Sequence, residues 1–150
     1  MEITTDGIKE LRKMTGVSVM QCKKALEEAE GDNAKAMAIL KKHSGTSALK
    51  KADRALKSGA IGSYTHDLNI GAMIFLSCET DFVAKNPEFA ALARSIAMQV
   101  AAMDPENTDD LLEQSFIKDE GRTVRNLLNE ATQKFGERIE ISRFARLSAV

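Results

Sequence analysis

The sequence contains no tryptophan, one tyrosine, two prolines and two cysteines among its 150 residues. Two cysteines cannot form the dense disulfide framework of a small secreted domain, and a start as polar as Glu2–Asp6 is not typical of a signal peptide. No apolar run reaches the roughly 18 residues that a membrane-spanning helix needs. These absences predict reduced thiols in a cytosolic protein.

Motifs of common enzyme and nucleotide sites are also missing. There is neither a P-loop nor a G-x-G-x-x-G sequence, so we expect no nucleotide site in the chain itself. The four residues Cys22, Cys78, His43 and His66 match no zinc template, and neither histidine forms a local pattern with a cysteine that marks a nucleophile. The sequence therefore predicts a binding protein with no cofactor or metal site, and not an enzyme.

Charge is unevenly distributed along the chain. Residues 1–54 carry 11 Lys or Arg against 8 Asp or Glu, a net charge of +3, whereas residues 55–150 carry 10 against 14, a net charge of −4. This asymmetry suggests a mildly basic front module followed by a mildly acidic body. The excess of positive charge is too small to predict direct nucleic-acid binding.

Three short helices are predicted within residues 1–43. Thr5 or Asp6 can cap the first, Ser18 begins the second with capping-box spacing, and Asp32 can cap the third. The connections between them are short, which favours a compact three-helix module. Ser44–Ser47 is typical of a linker, and a fourth helix is expected after it, over about residues 48–57.

The remainder predicts an α+β body. Apolar alternation indicates a hairpin of two strands, at residues 60–66 and 72–79, before a largely apolar helix from Pro87 to about Met103. Thr123 can cap a further helix, and a strand over residues 139–144 is expected to carry a bulge because Phe144 is out of phase. We therefore expect a small antiparallel sheet with helices packed on one face.

The connection that follows the second strand contains Phe82. Acids flank it at Glu79 and Asp81, and Asn86-Pro87 then begins the next helix. An aromatic residue in such a connection is either a buried plug or an exposed binding anchor, and the flanking acids favour a solvent-facing turn. Burial of an exposed phenyl ring in a partner would contribute roughly 1.5–3 kcal/mol of transfer free energy.

Basic residues cluster on the first two predicted helices. They are Lys9, Arg12, Lys13, Lys23 and Lys24. A solvated helix face and a docking surface for an acidic partner both explain this pattern. Apolar residues at Met14, Val19 and Met20 near the same turn would give a docking surface its apolar centre.

Four motifs in order resemble signatures of the elongation factor Ts family. The motifs are Lys9-Glu10-Leu11-Arg12-x-x-Thr15-Gly16 with Met20-x-Cys22-Lys23-Lys24-Ala25-Leu26, then Gly62-Ser63-Tyr64-x-His66, Thr80-Asp81-Phe82-Val83-Ala84 and Gly136-x-x-Ile139. The resemblance implies a guanine-nucleotide exchange factor for elongation factor Tu in protein synthesis. It also implies a ubiquitin-associated-like three-helix domain over residues 1–45 and an α+β core domain over residues 46–150.

The resemblance assigns roles to individual residues. Docking on elongation factor Tu is implied for Lys9, Leu11, Arg12, Met20 and Lys23. A turn that dislodges the magnesium ion bound with GDP, with Phe82 as the wedge, is implied for Thr80, Asp81, Phe82 and Val83. Further partner contacts are implied for His66, Phe135 and Gly136.

Three positions depart from the family pattern, and the chain is short. Val19, Phe135 and Arg138 stand where Met, Ile and Asn are more frequent. The chain has one core unit where many members have two, and short members resemble a halved core completed by pairing, so we expect a homodimer through the sheet. With no transit peptide, a bacterial cytoplasm is expected in preference to an organellar matrix. The alternative function is a ubiquitin-like or RNA-associated adaptor that uses only the three-helix module.

Overall fold

The computed structural model describes residues 2–150. It divides into two compact units, of which the first comprises Met1–Ala52 and Asn129–Gly136 and the second comprises Asp53–Leu128 and Glu137–Val150. Helices and antiparallel sheet together confirm the predicted α+β class.

The first unit contains helices α1 (Thr5–Thr15), α2 (Val19–Glu28) and α3 (Asn33–Lys51). Ser18 and Asp32 cap α2 and α3 as predicted, whereas α1 is capped one residue earlier than expected, by Thr4, whose side chain accepts from the Gly7 amide at 3.1 Å. The core beneath these helices consists of Leu11, Val17, Cys22, Ala25, Leu26, Ala29, Ala36 and Leu40.

The linker predicted at Ser44–Ser47 is wrong, because α3 continues through it to Lys51. The Ser44 hydroxyl bonds to the Leu40 carbonyl at 3.1 Å, and Thr46 bonds to the Lys42 carbonyl at 3.2 Å, so the helix itself satisfies these side chains. Ser44 is also buried, with its hydroxyl in close contact with the side chain of Gln133, which is distant in sequence. Of the helix expected over residues 48–57, only the part up to Lys51 is helical, and it is the end of α3. The predicted boundary at residue 45 lies inside this helix.

The second unit is built on a three-stranded antiparallel sheet in the order β1-β2-β5. Its elements are β1 (Ser58–His66), β2 (Ile70–Cys78), α4 (Asp81–Ala84), α5 (Pro87–Met103), α6 (Thr108–Glu113), β3 (Ser115–Phe116), β4 (Asp119–Thr123), the first residues of α7 (Val124–Phe135) and β5 (Glu140–Ser148). Thr123 and Asn126 cap α7 reciprocally, each side chain accepting from the other's amide at 3.1 Å. The predicted bulge is confirmed: the register shifts at Phe75/Leu76, where Ser142 is the extra residue of β5.

The short hairpin of β3 and β4 is a feature that the sequence did not predict. It is joined to α5 by Gln99, a fully buried side chain. The side-chain nitrogen of Gln99 donates to the Gln114 side chain at 3.2 Å and to the Ser115 carbonyl at 3.0 Å. Its side-chain oxygen accepts from the backbone amide of Ile117 at 2.9 Å. A buried polar residue in the C-terminal part of α5 is thus satisfied by the loop that it holds.

The register of the sheet gives it two different faces. Ile74, Leu76 and Cys78 point toward the buried side, where α5 packs on β1 and β2. The contact is closest at Gly62, where a Cβ atom would lie 2.4 Å from the backbone of Ala93. Helix and strand can approach this closely only because residue 62 has no side chain.

Two glycine substitutions with opposite expected effects test this packing. Gly62→Ala should lower the free energy of unfolding by about 1–3 kcal/mol, because the new methyl group meets the Ala93 backbone. Gly45→Ala should raise it by about 0.5–1 kcal/mol, because residue 45 is helical and open space surrounds it. Urea titrations followed by circular dichroism measure both. No gain from Gly45→Ala would contradict the continuous helix α3.

Candidate functional site: the turn after strand β2

The turn that follows β2 holds one apolar side chain outward and the next inward. Thr80 caps the four-residue helix α4, and its hydroxyl accepts from the Val83 amide at 3.4 Å. Phe82 is 86% exposed and Val83 is 3% exposed. The expected outward orientation of Phe82 is confirmed. The burial of Val83 gives that residue a place beneath the turn and not on the surface that a partner would meet.

Buried residues support the turn from below. Cys78 and Phe89 are fully buried, and the Cys78 thiol donates to the Thr80 carbonyl at 3.3 Å. Burial raises the pKa of the Cys78 thiol, and the nearby Glu137 carboxylate raises it further. The thiol is therefore held protonated in the core, which is the opposite of what a nucleophilic cysteine needs.

Two carboxylates join the turn to the segment after α7. Glu137 accepts from the amides of Glu79 and Thr80, both at 3.0 Å, and from the Thr80 hydroxyl at 2.6 Å. In return, Glu79 accepts from the Arg138 amide at 2.6 Å. We call Glu79, Thr80, Glu137 and Arg138 the carboxylate latch. The sequence did not predict it, because its two halves are 58 residues apart and no local pattern connects them.

Further contacts fix the surroundings of the latch. The Asp81 carboxylate accepts from the Ser58 hydroxyl at 2.5 Å, which joins α4 to the first residue of β1. The Arg138 side chain donates to the Arg54 carbonyl at 2.5 Å and pairs with Glu140 at 2.7 Å. The departure from the family pattern at Arg138 leaves the latch intact, since the latch uses the backbone amide of that residue.

A second candidate surface lies on the first unit, where α1 ends and α2 begins. Lys9 and Arg12 on α1 and Lys23 on α2 are exposed, as expected. Met14 is 63% and Met20 is 67% exposed. These apolar side chains lie close to the three-residue connection between the helices, and Arg12 lies in the last turn of α1 before it, so a basic and two apolar groups are near this end of the α1–α2 pair.

Leu11 does not belong to that surface. It is 1% exposed and lies in the core of the first unit, so the contact implied for it is not compatible with the folded unit. The reason is helical periodicity: Leu11 lies on the inward stripe of α1, while its neighbour Arg12 points to solvent. Leu11 holds the helix that presents the basic residues.

The structure places His66 far from the turn. His66 and Ser58 are the two ends of the nine-residue strand β1, and at about 3.3 Å per residue they lie roughly 26 Å apart. His66 is exposed, with Nδ1 3.0 Å from the Tyr64 hydroxyl and Nε2 3.3 Å from the Asp67 carboxylate. These contacts orient the imidazole ring at the hairpin end of the sheet.

Phe135 and Gly136 lie at the end of α7, in the part of the chain that belongs to the first unit. Phe135 is half-buried, and the Lys134 ammonium lies 5.9 Å from the centre of its ring. Gly136 has φ 73°, the left-handed conformation that ends a helix and favours glycine. The next residue along the chain is Glu137 of the latch.

Residues 2–150 include no group of three His, Cys, Asp or Glu side chains arranged to hold a metal ion. Over the same residues, no helix has the length and apolar character to cross a membrane.

Comparison with known proteins identifies the family. The model of the family described as elongation factor TS matches residues 79–150. The elongation factor Ts of Oleidesulfovibrio alaskensis is 38% identical over 190 aligned positions, which cover 96% of this chain and 96% of that protein. The elongation factor Ts of Thermotoga neapolitana is 40% identical over 190 positions, which cover 97% and 96%. The chain belongs to the elongation factor Ts family.

Membership of this family carries a role in translation elongation. A further member, from Trichlorobacter lovleyi, is 42% identical over 150 positions, which cover 99% of this chain and 48% of that protein. At least 40 of the 190 positions aligned with the first two relatives have no counterpart here, because this chain has 150 residues. The chain is therefore an internally shortened member relative to those two proteins.

Proposed function

We propose that this protein accelerates the release of GDP from elongation factor Tu, and that Phe82 is the side chain that acts on the nucleotide site. The observation that supports this most directly is the 86% exposure of Phe82 on a turn that the latch and Val83 hold in place. A large apolar side chain that is both ordered and exposed has the properties of an interface hot spot.

Exchange requires that the protein bind its nucleotide-free partner more tightly than the GDP-bound one, since the coupling between the two ligands is reciprocal. The turn can supply this difference. Insertion of Phe82, with Asp81 beside it, displaces groups that hold magnesium and phosphate, so the contact is favourable only when the nucleotide site is open. A nucleotide bound with nanomolar affinity has about 12 kcal/mol of binding free energy, so a coupling of a few kcal/mol against it already weakens its binding substantially.

The basic surface of the first unit supplies affinity in this proposal. Arg12, Lys9 and Lys23 are exposed on the same two helices as the exposed Met14 and Met20, and an apolar centre with a charged rim is a common interface arrangement. Such a surface suits an acidic patch on elongation factor Tu. The protein acts in the bacterial cytoplasm, where translation takes place, and needs no cofactor or nucleic-acid contact of its own.

The direct test is stopped-flow measurement of GDP release from elongation factor Tu, using a fluorescent GDP analogue with and without the full-length protein. Acceleration that saturates with protein concentration supports the proposal. Binding without acceleration would favour the adaptor function instead.

Phe82→Ala should lower the maximal rate of stimulated GDP release by about tenfold or more, because truncation of a hot-spot side chain removes more than about 1.4 kcal/mol. Leu49→Ala is the matched control, since Leu49 is also an exposed apolar residue but lies on α3. The same stopped-flow assay measures both variants. If folded Phe82→Ala stimulated GDP release at the wild-type rate, Phe82 would not act on the nucleotide site.

Reversal of charge at Arg12 and Lys23 to Glu should weaken binding to elongation factor Tu by about tenfold at low ionic strength, and the loss should shrink as salt screens the interaction. The double substitution of Lys41 and Lys42 to Glu changes net charge equally on the exposed side of α3. Calorimetric titration at two salt concentrations measures the dissociation constant of each double variant. Equal losses in both variants would mean that net charge matters and the α1–α2 surface does not.

We also propose that the protein is a homodimer that pairs through the face of the sheet opposite α5. Ile61 is 60%, Met73 is 55% and Leu147 is 80% exposed on that face, beside the half-buried Phe75. One exposed apolar residue is ordinary, but a contiguous set on three neighbouring strands is typical of an interface. Two such sheets can pack face to face about 10 Å apart.

Met73→Glu should raise the dimer dissociation constant by at least about tenfold, because pairing would bury an unpaired carboxylate at the centre of the face. Leu49→Glu, an equivalent change on α3, should leave the dimer intact. Sedimentation equilibrium measures both. A wild-type protein that remains monomeric at high micromolar concentration would contradict pairing altogether.

A further inference from the structure

We propose that Glu137 is a positioning residue for nucleotide exchange, which sets the start of α4 and thereby the direction in which Phe82 points. This inference rests on the proposed function and names a residue that acts on the turn without touching the partner. It follows from the bonds that Glu137 makes and from the place where the sheet ends.

The sheet cannot hold the turn by itself. The last residue of β2 paired with β1 is Cys78, and the last one paired with β5 is Ser77. The amides of Glu79 and Thr80 therefore lie beyond the ladder, and both donate to the same Glu137 oxygen at 3.0 Å. Glu137 therefore accepts the two backbone hydrogen bonds that a neighbouring strand would otherwise accept.

The second oxygen of Glu137 extends this control into α4. It accepts a hydrogen bond from the Thr80 hydroxyl at 2.6 Å. A hydroxyl has one proton to donate, so this bond leaves the lone pairs of Oγ1 for the Val83 amide, which donates to it at 3.4 Å. The cap of α4 is thus oriented by Glu137, and Phe82 lies in the helical turn that this cap begins.

Glu137 is itself held from the side of the turn. The Glu79 carboxylate accepts from the Arg138 amide at 2.6 Å and from the Arg54 guanidinium at 3.5 Å. Each segment therefore supplies a carboxylate to the backbone of the other. Bonds from amides to ionised acceptors are shorter and stronger than bonds between neutral groups, so the latch defines one geometry of the turn.

The experiment compares Glu137→Ala with Glu140→Ala in the full-length protein. Glu140 lies three residues away and pairs with the Arg138 side chain, but it makes no latch bond. Two readouts are needed: amide hydrogen exchange at Glu79 and Thr80 by NMR, and the rate of stimulated GDP release as a function of protein concentration.

In Glu137→Ala we expect the Glu79 and Thr80 amides to exchange at least about tenfold faster, because their acceptor is gone. The maximal rate of GDP release should fall by about tenfold or more, since small misplacement of an acting group has large kinetic effects. The half-saturating concentration should change by less than about twofold, because docking through the first unit is unaffected. Glu140→Ala should change none of these quantities. Thr80→Val should reproduce the loss of rate, and Thr80→Ser should restore it.

A folded Glu137→Ala variant with the wild-type maximal rate, or with unchanged amide exchange, would overturn the proposal. A rise in half-saturating concentration with an unchanged maximal rate would also overturn it, because that is the signature of a docking residue. If Glu137→Ala fails to fold, Glu137→Gln takes its place: it keeps an acceptor for the two amides but loses the second carboxylate oxygen, so the rate should fall while the two amides stay protected. If the wild-type protein does not accelerate GDP release at all, the proposed function fails and the positioning role in exchange falls with it.

Discussion

The turn that carries Phe82 depends on the hydrogen bonds to Glu137, which take over where the strand pairing of β2 ends. Strand β2 is paired on both sides up to Ser77, and two residues later its amides face a side chain in place of another strand. A carboxylate suits this position because it only accepts hydrogen bonds, and the turn offers it three donors. The backbone can therefore leave the sheet abruptly and still be ordered, which is what allows a four-residue helix to present an exposed phenyl ring.

The two candidate surfaces differ in their physical character. On the first unit, long flexible basic side chains and exposed methionines occur on the same two helices, a combination that adapts to a partner and responds to ionic strength. On the second unit, the exposed ring lies on a short helix whose cap and inward residue are fixed. An adaptable surface suits recognition, and a rigid one suits the distortion of a partner, so the proposed division between docking and displacement follows from the chemistry of each surface.

Much of this fold could be predicted from local signals, and the rest could not for a definable reason. The caps at Ser18, Asp32 and Thr123 bond to backbone amides three residues away. The alternation of apolar and polar residues in a strand is likewise visible over a few residues. The bulge opposite Phe75 was visible as a break in that alternation. The outward orientation of Phe82 was predicted from its acidic neighbours together with the family resemblance, and the structure agrees.

Most of the wrong or missing predictions involve partners distant in sequence. Ser44–Ser47 has the composition of a linker, and the burial of Ser44 against Gln133 is a contact that no local pattern reveals. The latch joins residues 58 positions apart. The β3–β4 hairpin depends on Gln99, a polar residue whose burial is explained only by the loop that satisfies it. Motif similarity assigned Leu11 to a partner, whereas helical periodicity assigns it to the core.

The composition of the first unit has a consequence for the order in which the protein can fold. That unit includes Asn129–Gly136 as well as the N-terminal helices, and Ser44 and Gln21 both reach Gln133. During synthesis, the three N-terminal helices leave the ribosome long before these partners exist. The first unit therefore cannot complete its contacts until most of the second has been made, and Glu137, the next residue, arrives only then. A chain whose units are interleaved in this way completes the contacts of its first unit and orders the turn of its second at nearly the same moment of translation.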